Sequence, residues 1–341
     1  MTANRIPTRL LLAPDKFKGT FSAASVAAAL GRGLASGGHT ADLCPVADGG
    51  EGTLDALVSA LGLQPLQAQV RDPLGRTREA GFGIGRDGVG VVEMAQASGL
   101  VLVTEAERDA VAASTYGTGE LIAAAVEAGA SQLYVAVGGS ATSDGGEGAV
   151  RALRERGWSA RSTPARLRVL CDVRTTFEEA ARVFGPQKGA SEGEVRLLSD
   201  RLARVARDYA RDPRGVPMSG AAGGLAGGLW AEFNAELVSG AVFVLNAVGY
   251  DARMRAARAV VTGEGRLDHQ SLVGKVVSEV ATRARQAGVP CHAVVGVNQL
   301  APFDARILDL QLVLEASTLK EIEAAGAQIG ELIRSEDDRG R

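Results

Sequence analysis

Four times along this chain a short apolar, β-prone run passes through a loop of glycine and charge into a segment rich in helix formers. The runs occupy residues 10–14, 41–46, 133–137 and 259–262, and the helices follow from about residues 22, 53, 146 and 273. Strands that alternate with helices cannot be joined by tight hairpins. They need crossover connections, so the sheets they build are parallel and covered by helices. In open parallel sheets ligands bind beyond the carboxyl ends of the strands, which is where all four loops are expected.

One stretch breaks the rhythm. Residues 67–70, 77–84 and 89–94 are short β-prone runs separated by Asp72-Pro73-Leu74-Gly75 and Gly85-Arg86-Asp87-Gly88, the composition of tight turns between antiparallel strands. The expectation is an α/β protein of two domains, each with a mainly parallel sheet flanked by helices. The first is discontinuous (1–70 and 258–341); the second is inserted (71–257) and has some antiparallel strands, and the active site is expected in the interdomain cleft. A chain of 341 residues is long enough for two cores of ordinary size.

Composition removes several classes of function. The net charge is −3 and no run of basic residues forms a stripe, which excludes nucleic acid as a partner. The apolar run at 10–13 is too short for a signal-peptide core, and no segment approaches the roughly 20 apolar residues that span a bilayer. A soluble, cytoplasmic protein is expected. Cys44, Cys171 and Cys291 are odd in number, far apart and set beside apolar residues, as buried free thiols would be. His39, His269 and His292 show no helical pairing, so neither a zinc site nor a Ser-His-Asp triad is expected.

The charged glycine loops carry the chemistry. Ala47-Asp48-Gly49-Gly50-Glu51-Gly52, Ser140-Ala141-Thr142-Ser143-Asp144-Gly145-Gly146 and Thr262-Gly263-Glu264-Gly265-Arg266-Leu267-Asp268 each set carboxylates among glycines. Glycine lets backbone approach a bulky polyanion, and carboxylates are the hard oxygen ligands of magnesium. Only five of the 37 basic residues are lysine, and Lys16, Lys18, Lys188 and Lys275 all lie in glycine-containing turns. A compact ammonium on a flexible stem suits phosphate there. Asp172, just after the run at 167–171, joins Asp48, Asp144, Glu264 and Asp268 as a strand-end carboxylate. Phosphoryl transfer needs one carboxylate to position magnesium and another to orient the attacking hydroxyl, with cations on the transferred group. Any one of these loops read alone is also an ordinary structural turn. Glu51 and Glu147 fit helix N-termini electrostatically, and the glycines at 220–228 serve a phosphate-binding helix start or close helix packing equally well. Neither a Walker loop nor a dinucleotide glycine fingerprint is present.

In order and density, Ala13-Pro14-Asp15, Pro45-Val46-Ala47-Asp48-Gly49-Gly50-Glu51-Gly52-Thr53, Gly138-Gly139-Ser140-Ala141-Thr142, Phe184-Gly185-Pro186-Gln187-Lys188-Gly189-Ala190 and the 262–268 segment resemble bacterial glycerate kinases of the type 1 family, from about residue 10 to 330. The resemblance implies transfer of the γ-phosphoryl of ATP to a hydroxyl of D-glycerate with Mg2+, on a two-domain α/β fold whose first domain is discontinuous; 2-phosphoglycerate is the favoured product over 3-phosphoglycerate. The residues and the resemblance together nominate Asp48, Asp144, Lys188, Glu264, Arg266 and Asp268 for catalysis. Lys18, Gly49, Gly50, Gly139, Ser140, Thr142, Gly223, Gly224, Gln270 and Lys275 are nominated for substrate and nucleotide, and Asp172, Glu264 and Asp268 for the metal. The chain departs from the family pattern in lacking Asn-Pro after Cys171-Asp172-Val173 and in a shortened segment near 157–166. A homodimer is left open. The rival readings are a non-catalytic two-lobed sugar-acid-binding protein and an NAD-dependent hydroxy-acid dehydrogenase.

Overall fold

The computed structural model describes residues 9–17, 19–272 and 275–339. Among them run the strands β1 (Arg9–Pro14), β2 (Thr40–Leu43), β3 (Gln64–Arg71), β4 (Thr77–Ile84), β5 (Val89–Glu93), β6 (Gln132–Ala136), β7 (Arg166–Cys171), β8 (Glu236–Ser239), β9 (Ala259–Leu267), β10 (Cys291–Asn298) and β11 (Leu312–Glu315). The chain divides into two units, Met1–Ala47 with Val244–Arg341, and Asp48–Phe243.

In the discontinuous unit the strand order is β11-β10-β9-β1-β2, and every pairing is parallel. Leu10, Leu12, Val261 and Val294 pack with Leu30 and Leu34 of helix Ala23–Ser36 and with Ile322 and Ile329 of helix Leu319–Arg339. Each such side chain removed from water contributes about 1.5–3 kcal/mol. Helix Ala23–Ser36 starts where Ser22 accepts a hydrogen bond from Ser25 N at 3.2 Å, as an N-cap serine does. The 262–268 segment, expected to leave its strand as a loop at Thr262, does not. β9 continues to Leu267, in register with β10 from Val260↔Cys291 to Leu267↔Asn298. Gly263 serves close approach: a Cβ on it would lie 2.1 Å from the Val294 carbonyl oxygen.

The other unit holds a six-stranded sheet, β3-β4-β5-β6-β7-β8. β3, β4 and β5 pair antiparallel, as their turns imply, and β5 to β8 are parallel. Phe82, Val92, Leu121, Ile122, Leu133, Val135, Val169, Leu225 and Leu229 form its core. A satellite cluster of Phe177, Leu198 and Leu202 lies under helix Glu192–Asp208. The change of unit comes earlier in the chain than the expected crossover near residue 71. β3 pairs with β4 from Gln64↔Ile84 to Arg71↔Thr77, and Leu54 N donates to the Glu93 carboxylate at the end of β5 at 2.7 Å, so helix Thr53–Leu61 and β3 both belong to the second sheet. The return comes within helix Gly240–Ala247 rather than at residue 258.

The three cysteines are free and buried. Burial pushes the Cys44 thiol up to about 11 and the Cys291 thiol up to about 12, and it raises Cys171 as well, so all three stay protonated at neutral pH. No helix among the described residues is long and apolar enough to cross a membrane.

Candidate active site

Each parallel sheet gathers charge at the carboxyl ends of its strands. In the Asp48–Phe243 unit three loops meet there. Asp48 turns the chain by accepting Gly50 N at 3.1 Å. The loop then lies on the end of β7: Gly49 has φ +97°, and a Cβ there would come within 2.8 Å of the Leu170 carbonyl oxygen, so only glycine fits without displacing backbone. Gly138 N donates to Gly49 O at 3.1 Å, which joins this loop to the one after β6. Asp172, half-buried, follows β7 directly, and a Cβ on Gly138 would lie 3.6 Å from its Oδ2. Asp48, Gly49, Gly50, Gly139, Ser140, Thr142 and Asp172 thus share one sheet edge.

Lys188 is buried at the same edge, on the turn Pro186–Lys188, and its ammonium donates to the Thr142 carbonyl. Burial holds its pKa down at about 7, while the negative charges of Asp144 and Asp172 work in the opposite direction. An anion placed beside this lysine would favour its charged form. Asp144 is wholly buried and accepts four hydrogen bonds: from Thr115 N and the Thr115 hydroxyl at 2.8 Å each, from Gly146 N at 3.1 Å and from Gly148 N at 3.2 Å. That is the geometry of a loop anchor. Its charge reaches Lys188, while its oxygens hold backbone. Gly223 and Gly224 end a left-handed run with Ala222 (φ 55°, 64° and 95° in chain order) before helix Leu225–Phe233. They are buried against the Thr142–Gly146 loop, with Gly145 N donating to Gly223 O at 2.9 Å.

In the discontinuous unit, Asp15 leaves β1 with its N–H donating to Gly263 O at 2.8 Å. Beside it on β9 is Glu264, buried, with its Oε2 3.3 Å from the Lys275 ammonium. Two residues on, Arg266 is exposed. Asp268 forms the turn after β9, its Oδ1 accepting Gln270 N at 2.9 Å and its own N–H donating to Ser271 Oγ at 3.1 Å; Gln270 is exposed. Glu264, Arg266, Asp268, Gln270 and Lys275 therefore cluster at one strand end. Lys18 lies outside the described residues.

Asp15, at the end of β1, stands in the same strand-to-loop position as Asp48. Thr115, in a hydroxyl-rich helix entry at 114–120, holds the Asp144 loop, and Ser143, not nominated from the sequence, lies buried between two residues that were.

Among the described residues no group of three or more His, Cys, Asp or Glu side chains is assembled to hold a metal ion. Magnesium commonly binds through one or two carboxylates together with substrate phosphates and water. Within each unit taken by itself, Asp172 in one, and Glu264 with Asp268 in the other, the one or two carboxylates present are of the kind that suits such a cation, without a preformed protein cage.

Two α/β units that carry carboxylates, a lysine and glycine backbone at the ends of their parallel strands have the makings of an α/β phosphotransferase. The family model described as the glycerate kinase family matches residues 10–164 and 154–329, and the chain belongs to that family. It is 38% identical over 322 residues to a glycerate kinase of Halalkalibacterium halodurans, covering 84% of this chain and 85% of the relative. It is 37% identical over 323 residues to the glycerate 2-kinase of Escherichia coli K12, again covering 84% and 85%. Among solved structures, a Salmonella typhimurium LT2 protein described as a candidate glycerate kinase 2 superposes with a TM-score of 0.79 at 30% identity, over 98% of this chain and 100% of that one.

Proposed function

We infer that the enzyme transfers the γ-phosphoryl group of ATP to a hydroxyl of D-glycerate with the help of Mg2+, giving 2-phosphoglycerate in preference to 3-phosphoglycerate. Membership of the glycerate kinase family supports the reaction, and the likeness to a glycerate 2-kinase supports the position of transfer. The observation that carries the reading is a lysine, Lys188, buried at a parallel-sheet edge with Asp172 and the glycine loops of Asp48 and Gly139. A buried ammonium of this kind is costly in a free protein and becomes favourable when an anion is bound beside it.

In this reading Lys188 balances charge on an oxyanion of a substrate, and the backbone of Gly49, Gly50 and Gly139 approaches it closely. Asp48 and Asp172 orient or receive the proton of the attacking hydroxyl. Glu264, Arg266, Asp268, Gln270 and Lys275 serve nucleotide and metal. When bound, magnesium would neutralise triphosphate oxygens, with Asp172, Glu264 and Asp268 as its candidate ligands. Asp144 acts indirectly, by holding the loop that carries Thr142. A cytoplasmic setting follows from the use of ATP.

The test is 31P NMR of purified protein with D-glycerate, ATP and Mg2+. A new phosphomonoester resonance split by one neighbouring proton identifies 2-phosphoglycerate, and splitting by two identifies the 3-isomer. Absence of any product from a folded protein removes the proposal.

A further inference from the structure

Thr142 and Ser143 are both wholly buried, and neither side-chain hydroxyl has a hydrogen-bond partner among the described residues. A buried polar group left without a partner is destabilising, so two in succession call for a physical reason. The local structure prevents the loop from satisfying them itself. Asp144, the next residue, already accepts four hydrogen bonds. On the other side, the loop is pressed against the left-handed run at Gly223, where a Cβ would lie 2.1 Å from the Thr142 carbonyl oxygen and 2.7 Å from the Ser143 Cα. The Thr142 carbonyl receives the Lys188 ammonium, which brings a cation to the same short segment.

A hydroxyl pair held without a partner beside a lysine has the donor chemistry of an oxyanion subsite. We propose that Thr142 and Ser143 provide the hydroxyl donors of such a subsite, with Lys188 balancing the charge, and that it takes an oxyanion of a substrate: the carboxylate of a hydroxy acid or a phosphoryl group of the nucleotide. This rests on the kinase reading above and deepens it, because Ser143 becomes a binding residue. Both hydroxyls are sealed from solvent in the free protein, so an oxyanion reaches them only when the packing around this loop opens.

The experiment compares wild type with Ser143→Ala and Thr142→Val in two measurements: steady-state kinetics with D-glycerate and ATP varied separately, and thermal denaturation with and without each substrate alone. Hydrogen bonds to a charged group are worth about 1.5–3 kcal/mol, so each variant should raise KM for one substrate on the order of ten- to a hundred-fold. The free variant should melt no lower than wild type, because an unsatisfied hydroxyl has been removed. The substrate whose KM rises identifies the oxyanion as carboxylate or phosphoryl. Unchanged KM values and unchanged ligand-induced melting shifts in Ser143→Ala would mean that the hydroxyls only pack or hold water, and would overturn the proposal. If Thr142→Val does not fold, Ser143→Ala decides alone, since it deletes a single oxygen. If wild type makes no phosphoglycerate, the kinase reading fails separately. The subsite is then tested with inorganic phosphate: a melting shift in wild type that shrinks in Ser143→Ala supports it, and equal or absent shifts reject it.

Discussion

The Thr115 hydroxyl stands between two chain segments, donating to the Asp144 carboxylate at 2.8 Å and accepting from Ala149 N at 3.0 Å. It pins the loop after β6 to helix Tyr116–Glu127 and to helix Glu147–Arg154. Thr115→Val keeps the shape and removes both bonds, leaving Ala149 N to find another acceptor. The expected loss is about 2 kcal/mol of stability, seen as a lower urea midpoint with an unchanged slope. The folded fraction should keep most of its turnover, since Thr115 holds the loop without touching substrate. An unchanged midpoint would show that Asp144 does not depend on this anchor.

Lys188 makes stability depend on pH in a direction that can be worked out. Its pKa is about 7 in the folded chain against an ordinary 10.5. Between those values the unfolded chain holds a proton that the folded chain has released, so this residue's contribution to stability rises with pH across the window. Below about pH 7 both states are charged, and folding bears the full cost of burying the ammonium. Relative to wild type, Lys188→Met should therefore be most favourable at pH 6 and lose that advantage steadily towards pH 10. Urea denaturation of the pair at several pH values checks it, and parallel pH profiles would rule out the depressed pKa. The same physics predicts that anionic substrate binding above pH 7 takes up a proton, measurable as a buffer-dependent heat in calorimetry.

What the sequence revealed and what it hid follow from the same residues. The strand-to-helix rhythm disclosed the parallel sheets because buried runs such as Leu10-Leu11-Leu12 and Tyr134-Val135-Ala136 have no other use. The short antiparallel strands were legible from their turns. The acidic glycine segment at 262–268 was misread as a loop, since glycine signals left-handed turns and close backbone approach alike, and here the second use keeps β9 going to Leu267. β8 was missed: four residues, Glu236-Leu237-Val238-Ser239, are too few to show a period. The early unit boundary depends on which sheet β3 joins, a long-range pairing that local pattern does not encode. Asp144 and Asp172 look equivalent in sequence. The four donors around Asp144 mark it as a carboxylate that holds backbone, a long-range arrangement that its glycine-rich sequence does not disclose.

Asp172 should behave in the opposite way to Thr115. It is half-buried at the end of β7 and nominated for the metal. Asp172→Asn removes the charge and little volume, so the urea midpoint should stay near wild type. Turnover should fall by on the order of a hundred-fold or more, with a higher Mg2+ concentration needed for half-maximal rate. Chelation with EDTA should stop the wild-type reaction, and added Mg2+ should restore it. A variant with normal turnover and normal Mg2+ dependence would take Asp172 off the list of ligands.

Two glycine-to-alanine substitutions should have opposite signs. At Gly263 the added methyl would sit 2.1 Å from the Val294 carbonyl oxygen, a backbone atom fixed by the β9–β10 pairing, so the strands must separate or twist to admit it. Overpacking of this kind costs about 1–3 kcal/mol, and it also shifts Glu264, the next residue on the strand. Gly193 lies in helix Glu192–Asp208 with nothing within 4 Å of the position a Cβ would take. Alanine there restricts the unfolded chain and improves helix propensity, for a gain of about 0.5–1 kcal/mol. Gly263→Ala should therefore lower both the melting temperature and the rate, and Gly193→Ala should raise the first and leave the second alone. If Gly263→Ala were as stable as wild type, the close approach of β9 to β10 could not be what requires glycine in the acidic segment, and the loop that its sequence suggests would have to be reconsidered.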